Sequence, residues 1–491
     1  MKKLILCLLT AVCVLTACAN RSAPQDPFAP PWDDYDVFKG ALIEAEQGVL
    51  DELSGASVYH LDLTIAGDLR SVSGRQAVRY TNQESVPLDE VCFRCYPNVT
   101  GGAIDVFEAQ VEGAAAEPAY HSQRSALCLP LPHALPPGAS VVLELAFEVE
   151  VPTEMGGNYG VFGLYEDVLV LDTFYPAIAV YDEAGWQIDT PARNGDLTYY
   201  DASFYLVRVN APKALTLVAS GSEVSREVAG RRQIVTLAAG PARDFYLAAS
   251  KRYIRESATV GETTLHSYAV SGRREEAKRV LQHARDALES YGGRLGAYPY
   301  AEMDLASTPM LALGIEYPGT MGISLALYDS EAEISGLPAP VLIESVVAHE
   351  VAHQWFYNVV GNDQQGEPWL DEALVQYVTG LYFSDTYGPQ AAASYRESWF
   401  SRWDRVERAE IPIGKHAGEY APDEYSPIVY GRGPLFVEAL AQEMGPPAFD
   451  GFLRAYYSAH KWGIATPESF RALAEEHCAC DLGPLFEEWV D

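Results

Sequence analysis

The chain has 491 residues, 48% of them hydrophobic and 21% charged, with 68 Asp plus Glu against 34 Lys plus Arg. This balance excludes disorder as the dominant state, and the length exceeds what one core supports, so two domains are expected. A net charge of −34 argues against nucleic acid and against an anionic lipid face as partners, because neither can release counterions to a surface of its own sign.

Lys2 and Lys3 precede an apolar run of 11 residues, Leu4 to Val14, followed by Leu15-Thr16-Ala17-Cys18. Eleven residues are too few to cross a bilayer, which takes about 20, so the run reads as a secretory signal. Leu-Thr-Ala-Cys resembles the bacterial lipobox, whose cysteine is diacylated and becomes the first mature residue. The resemblance implies a signal peptide at residues 1–17, lipid attachment at Cys18, and an extracytoplasmic protein held to a bacterial membrane by acyl chains alone. After Cys18 the run ANRSAPQDPFAPPWDDYD is rich in Pro, Asp and small residues, and residues 18–50 are expected to form an extended, lipid-anchored spacer.

Residues 51–255 read as β structure. In SVVLELAFEVEVP, the residues Val141, Leu143, Leu145, Phe147, Val149 and Val151 alternate with Glu144, Glu148 and Glu150, the period of a strand with one wet face. Similar short runs recur between Gly, Pro and Asp turns, which predicts an antiparallel sheet or sandwich. Cys92 and Cys95 lie in such a run, LDEVCFRCYP, where positions three apart point to opposite faces. That geometry excludes a shared metal or a redox pair and predicts buried thiols. Cys92, Cys95, Cys128, Cys478 and Cys480 are an odd number, so at least one stays free or pairs elsewhere.

Residues 256–491 are mixed and helix-rich. REEAKRVLQHARDALESYGG is helical by period, GAYPYAEMDLASTP returns to turn and strand, and later segments are helical to the end, among them PVLIESVVAHEVAHQWFYNVV, WLDEALVQYVTGLYF, GPLFVEALAQEMG and PESFRALAEEH. The fold class is therefore α+β, an antiparallel β domain followed by a helix-rich one.

The most specific signal is His349-Glu350-Val351-Ala352-His353. Residues four apart share a helix face, so both imidazoles can converge on one metal while Glu350 reaches a water beside it. Val341, Leu342, Ile343, Val346, Val347, Val351, Ala352, Trp355 and Phe356 make this helix apolar over most of its circumference. A buried helix carrying the polar stripe Ser345, His349 and His353 needs a reason for that stripe. Zinc catalysis takes three protein ligands and one open position, and Glu372 in Trp369-Leu370-Asp371-Glu372 is the choice for the third, 18 residues beyond His353. The alternative is Asp371 as ligand with Glu372 behind it. Two imidazoles and one carboxylate suit zinc, at one ion per chain, better than Mg or Ca.

His349-Glu350-x-x-His353, 18 residues, then Glu372 within W-L-D-E resembles the gluzincin metallopeptidases, specifically the aminopeptidase N-like family that includes leukotriene A4 hydrolase. GDLTYYDASFYLVRVNAP, GAYPY and VYGRGPLF extend the likeness over roughly residues 55 to 491. It implies a saddle-like β domain followed by a thermolysin-like domain, without the family's further helical domain. It also implies that Tyr430 stabilises the tetrahedral oxyanion. Glu316, in Leu313-Gly314-Ile315-Glu316-Tyr317-Pro318, would take the role of the acid in the G-A-M-E-N motif that binds the substrate's α-ammonium, although only Gly314 and Glu316 match.

The resulting expectation is a lipid-anchored zinc aminopeptidase acting on peptides, with Glu350 as proton shuttle, Tyr430 as oxyanion donor, and Glu316 with Gly314 as the substrate-binding element. Competing readings are an endopeptidase on the same zinc site and a peptide-binding lipoprotein that no longer turns over.

Overall fold

The computed structural model describes residues 26–491. The expected signal peptide and Cys18 lie outside the described residues. Among those described, no helix is long and apolar enough to cross a membrane.

The β half is built on an eight-stranded sheet whose order runs Ser222–Ala229, Arg232–Ala242, Ser203–Pro212, Val58–Ile65, Ser71–Thr81, Ser140–Glu150, Ala103–Val111, Ala114–Ala115. All neighbours are antiparallel except Val58–Ile65 with Ser203–Pro212, which run parallel. Strand Ser140–Glu150 shows why the sheet is one-sided: Val141, Leu143, Leu145, Phe147 and Val149 are buried, and Glu144, Glu148 and Glu150 are exposed. Two four-stranded sheets lie beside it. One contains Thr216–Ala219, Leu247–Ser250, Val168–Leu171 and Gly163–Tyr165, and the other Ala177–Ile178, Leu88–Arg94, Ala126–Leu135 and Ala119–His121. Aromatic and β-branched residues of all three sheets share a core that includes Phe93, Phe147, Leu169, Tyr175 and Phe245.

The second half opens with a five-stranded sheet in the order Tyr253–Val260, Thr263–Val270, Glu302–Thr308, Thr320–Ser324, Gly314–Tyr317. Gly314–Tyr317 is thus an edge strand. One face of this sheet, with Leu265, Met303, Leu305, Met321 and Ile323, packs in a core shared with the helices Arg274–Leu295, Ala339–Ala352 and Trp369–Tyr387. The helices Gly433–Met444, Pro446–His460, Pro467–Cys478 and Gly483–Trp489 add buried residues to that core, and Pro389–Trp403 packs against it through Trp403.

Three expectations need correction. Residues 28–50 do not behave as a spacer: Phe38, Leu42, Val49 and Leu50 are buried in the same core as Phe204 and Leu265, Leu42 bridges to Tyr300, and Phe28 and Trp32 stack on His60. Their aromatic and aliphatic side chains outweigh the Pro- and Asp-rich composition around them. Cys92 is not a thiol but is disulfide-bonded to Cys128, directly opposite it on the paired strand, and Cys478 is bonded to Cys480. Cys95 is a buried thiol, its pKa pushed up to about 12 by burial. The helix carrying the histidines ends at Ala352 and does not run on to Val360. Tyr357 takes a left-handed φ of 86°, and the Asn358 backbone and side-chain N–H groups both bond the His353 carbonyl at 3.1 Å, closing the helix. At the other end of that helix Val341 is 61% exposed while Ala339 and Ile343 are buried, so the first turns are apolar on a side that faces solvent as well as on the side that packs.

One guanidinium ties the halves together. Arg243, 1% exposed, donates to the carbonyls of Tyr200 (3.0 Å), Tyr357 (2.7 Å), Val359 (2.9 Å) and Gly463 (2.5 Å). Arg243→Met keeps much of the volume but removes four donated hydrogen bonds and strands the carbonyls of Tyr200 and Tyr357, since Val359 and Gly463 keep the N–H groups of Trp462 and Gly361, and should lower the unfolding free energy by about 3–5 kcal/mol. Denaturant unfolding with parallel fluorescence and circular dichroism measures this, and an unchanged midpoint would show that the seam does not depend on Arg243.

Candidate active site

Helix Ala339–Ala352 delivers His349 and Glu350, with His353 capping its end, while Trp369–Tyr387 presents Glu372 in its first turn. His349 Nε2 and His353 Nε2 are 3.2 Å apart, and Glu372 Oε2 lies 3.3 Å from the first and 3.6 Å from the second. Three ligands held at ~2.0–2.2 Å from a tetrahedral centre stand ~3.3–3.6 Å from one another, so this triangle has the dimensions of a zinc site. Glu372 Oε2 is buried and has no hydrogen-bond partner, as expected of an oxygen reserved for a cation. The residues fit the metal. Asp371 does not join the triangle. Its Oδ1 accepts from the Glu372 backbone N–H at 2.9 Å and its Oδ2 from Gln364 at 2.8 Å, which holds the start of the helix in place.

Each ligand is oriented from behind. His353 Nδ1 is 3.2 Å from the Phe356 carbonyl, and His349 Nδ1 is 3.3 Å from the Gln376 amide, which in turn accepts from the Tyr395 hydroxyl at 2.7 Å. Such partners fix ring orientation and leave Nε2 facing the metal position. Gln354, next to His353, donates to the Tyr317 carbonyl at 3.0 Å and accepts from Gly319 N–H at 2.9 Å, so the helix end is bonded to the hairpin that carries Glu316.

Glu350 is 4% exposed and its Oε2 lacks a partner. Its carboxylate lies directly on Gly314, where an added Cβ would meet Oε1 at 2.1 Å. Glu316 is 5% exposed, accepts from Gln364 at 2.7 Å, and lies 3.8 Å from His353 Nδ1. Oxygens of Glu316 and Glu350 and a nitrogen of His353 fall within 4.8 Å of one another. Tyr430 sits in a π-helical turn, Ile428–Arg432, that aims its hydroxyl inward, where it donates to Glu372 Oε1 at 2.5 Å. A π turn adds one residue and so re-aims one side chain.

The structure also brings in residues that no sequence motif marked. The loop Asn194-Gly195-Asp196 of the β half reaches the site. Gln365 donates to the Asp196 carbonyl at 2.6 Å, and Gln364, which holds Glu316 and Asp371, accepts from Thr198. Gly195, at φ +76°, passes so close to the buried Tyr425 hydroxyl that a Cβ would lie 2.9 Å from it. Asp196 is thereby placed among Glu316, Glu372 and Asp371, its strongest electrostatic neighbours. It stands more than 150 residues from the histidines in a turn-like sequence, so neither spacing nor period could have found it.

Burial, reinforced by Glu316, pushes the Glu350 carboxyl well above the usual carboxylate range, and burial does the same to Asp196. Burial and the charge of Glu372 raise Asp371 to about 7. Glu372 goes the other way: burial opposes its charge, but hydrogen bonding to His349 and His353 holds it well below the usual range. Among the described residues none of these carboxylates is paired with Lys or Arg, so the site is a concentrated negative field open to cations.

Residues 280–489 match the peptidase family M1 domain. Probable aminopeptidase 2 of Sulfurisphaera tokodaii is 23% identical over 71% of this chain and 44% of its own length. Human aminopeptidase RNPEPL1 is 33% identical over 30% of this chain and 22% of its own. The chain thus spans less than half the length of these curated relatives. The M1 zinc metallopeptidase of Deinococcus radiodurans superposes with a TM-score of 0.63 at 20% identity, covering 89% of this chain and 92% of that one. A mutant of that metallopeptidase bound to a Tyr-Ser-Ala substrate gives 0.64 at 19%, covering 89% and 94%. These structural likenesses extend the shared fold across both halves.

Contact between Gly314 and Glu350 makes a direct prediction. Gly314→Ala must displace the Glu350 carboxylate and should lower turnover by at least ~100-fold, the scale of a lost general base, while zinc content stays at the wild-type value. Wild-type turnover in that variant would show that the position of Glu350 is not critical.

Proposed function

We propose that this chain, whose residues 280–489 form a peptidase family M1 domain, is a zinc aminopeptidase that removes residues one at a time from the N-terminus of peptides. The observation that carries the reading is the buried Glu316 carboxylate beside the His349, His353 and Glu372 triangle, with Asp196 near and, among the described residues, no Lys or Arg paired to either. A substrate's α-ammonium supplies the missing cation at the distance of one residue from the scissile bond.

His349, His353 and Glu372 would hold the zinc, which when bound polarises the scissile carbonyl and acidifies water. Glu350, with its raised proton affinity and free Oε2, accepts a proton from the attacking water and passes it to the leaving amine. Tyr430 turns its hydroxyl from Glu372 Oε1 to the developing oxyanion, a donation made only as charge appears there. Glu316 and Asp196 fix the register from the free amine, and Gln364 holds Glu316 in place. A structural neighbour bound to a tripeptide substrate supports peptides as the substrate class. The Leu-Thr-Ala-Cys sequence supports anchoring through a lipid on Cys18 and an extracytoplasmic site of action.

Glu350→Gln should retain zinc and lose ~100-fold to 10,000-fold in kcat. Tyr430→Phe should lower kcat more than it raises KM. Near-wild-type turnover in either would show that its role is misassigned. Free-amine peptides should be shortened stepwise and their acetylated forms scarcely cut, with Glu316→Ala narrowing the gap by harming the free-amine substrate. Mass spectrometry of the digests decides this, and internal cuts in acetylated peptides at comparable rates would favour an endopeptidase instead.

A further inference from the structure

A second group of ligand-type side chains lies on the five-stranded sheet, away from the His349 triangle. Strand register places His266, Asp304 and Thr320 side by side across three adjacent strands, and Glu302 lies two residues from Asp304 on the same face. Ligand atoms of His266, Glu302 and Asp304 fall within 4.8 Å of one another, with His266 Nε2 3.7 Å from Glu302 Oε1. This face is turned away from the helices, because the alternating residues Leu265, Met303, Leu305 and Met321 point into the helical core.

Three details distinguish the group from a solvated acidic patch. Asp304 is 4% exposed and its Oδ1 has no hydrogen-bond partner. Thr320, 0% exposed, has an unpartnered Oγ1 in the same cross-strand row. Among the described residues neither Glu302 nor Asp304 forms an ion pair with Lys or Arg; the only one recorded for either is with His266. A buried and a half-buried carboxylate side by side, with no ion pair to Lys or Arg and only the longer-range charge of Arg255 acting on them, beside an idle hydroxyl, carry a desolvation cost that a bound cation would offset. His266 is also set as a metal ligand is usually set: its Nδ1 is 2.7 Å from the Ser257 hydroxyl, leaving Nε2 toward the carboxylates.

We propose that His266, Glu302, Asp304 and Thr320 form a second divalent-cation site, distinct from the His349 triangle and specific for a first-row ion such as Zn2+ or Mn2+. An imidazole with two carboxylates suits these ions, whereas Ca2+ takes six to eight oxygens. Glu302 also lines a small cleft with Gly221, Ser222 and Ala239 of the β half, so an ion held there sits at the seam between the halves and would stabilise it. The inference does not depend on the peptidase reading.

The test uses the full chain, stripped with chelator, dialysed separately against Zn2+ and Mn2+, gel-filtered and counted by elemental analysis, with thermal unfolding in parallel. Wild type should hold two equivalents and show a higher Tm with metal. Asp304→Asn and Glu302→Gln should each hold one, with a smaller metal-dependent rise in Tm. Glu302→Gln, at a half-buried position, keeps the test decisive if Asp304→Asn does not fold, and circular dichroism verifies its fold. A metal count in folded Glu302→Gln that is not below that of wild type, with both ions, would overturn the proposal.

Discussion

The constraint on which the helix-rich half depends is the cost of gathering acids away from water. Glu316, Glu350, Asp371 and Glu372 are each at most 5% exposed, and Asp196 reaches them from the other half. Among the described residues no Lys or Arg forms an ion pair with them, and two histidines alone cannot answer them. Such an arrangement is costly unless protons or bound cations share the neutralisation. The chemistry follows from how that sharing is divided. Glu372 is held ionised by the histidines and suits the metal, whereas Glu350 is driven toward its protonated form and suits a group that must pick up and release a proton.

Around this centre the fold acts as a clamp on distances. Gln364 spans Thr198, Glu316 and Asp371, so one amide couples the β half, the edge strand and the glutamate helix. Arg243 repeats the device at the back of the site by binding the carbonyls of the turn that follows His353. Both are buried polar groups whose partners come from segments far apart in sequence, and a site built on them cannot form until the two halves have docked. The segment 28–50 adds apolar contact across the same seam.

What was legible in the sequence was legible because it was local. Two histidines four residues apart on an apolar helix, and an acid opening the next helix, are set by helical period alone, and the alternation in Ser140–Glu150 is set by the pleat. Where tertiary contacts override local composition the sequence misleads. The apolar run after His353 reads as more helix, yet a left-handed Tyr357 and the Asn358 cap stop it. Cys92 reads as a buried thiol because its partner Cys128 is 36 residues away and reaches it only through strand pairing. Asp196, Gln364 and Gln376 are ordinary polar residues in sequence and gain their place only from the packing of the two halves.

The most direct test is a crystal of the chain grown with zinc and a free amino acid, with anomalous data recorded on both sides of the zinc edge. An anomalous peak bonded to His349 Nε2, His353 Nε2 and Glu372, with the amino acid's ammonium against Glu316 and its carboxylate toward the metal, is the expected result. A peak absent from that triangle, or an ammonium bound away from Glu316, would contradict it.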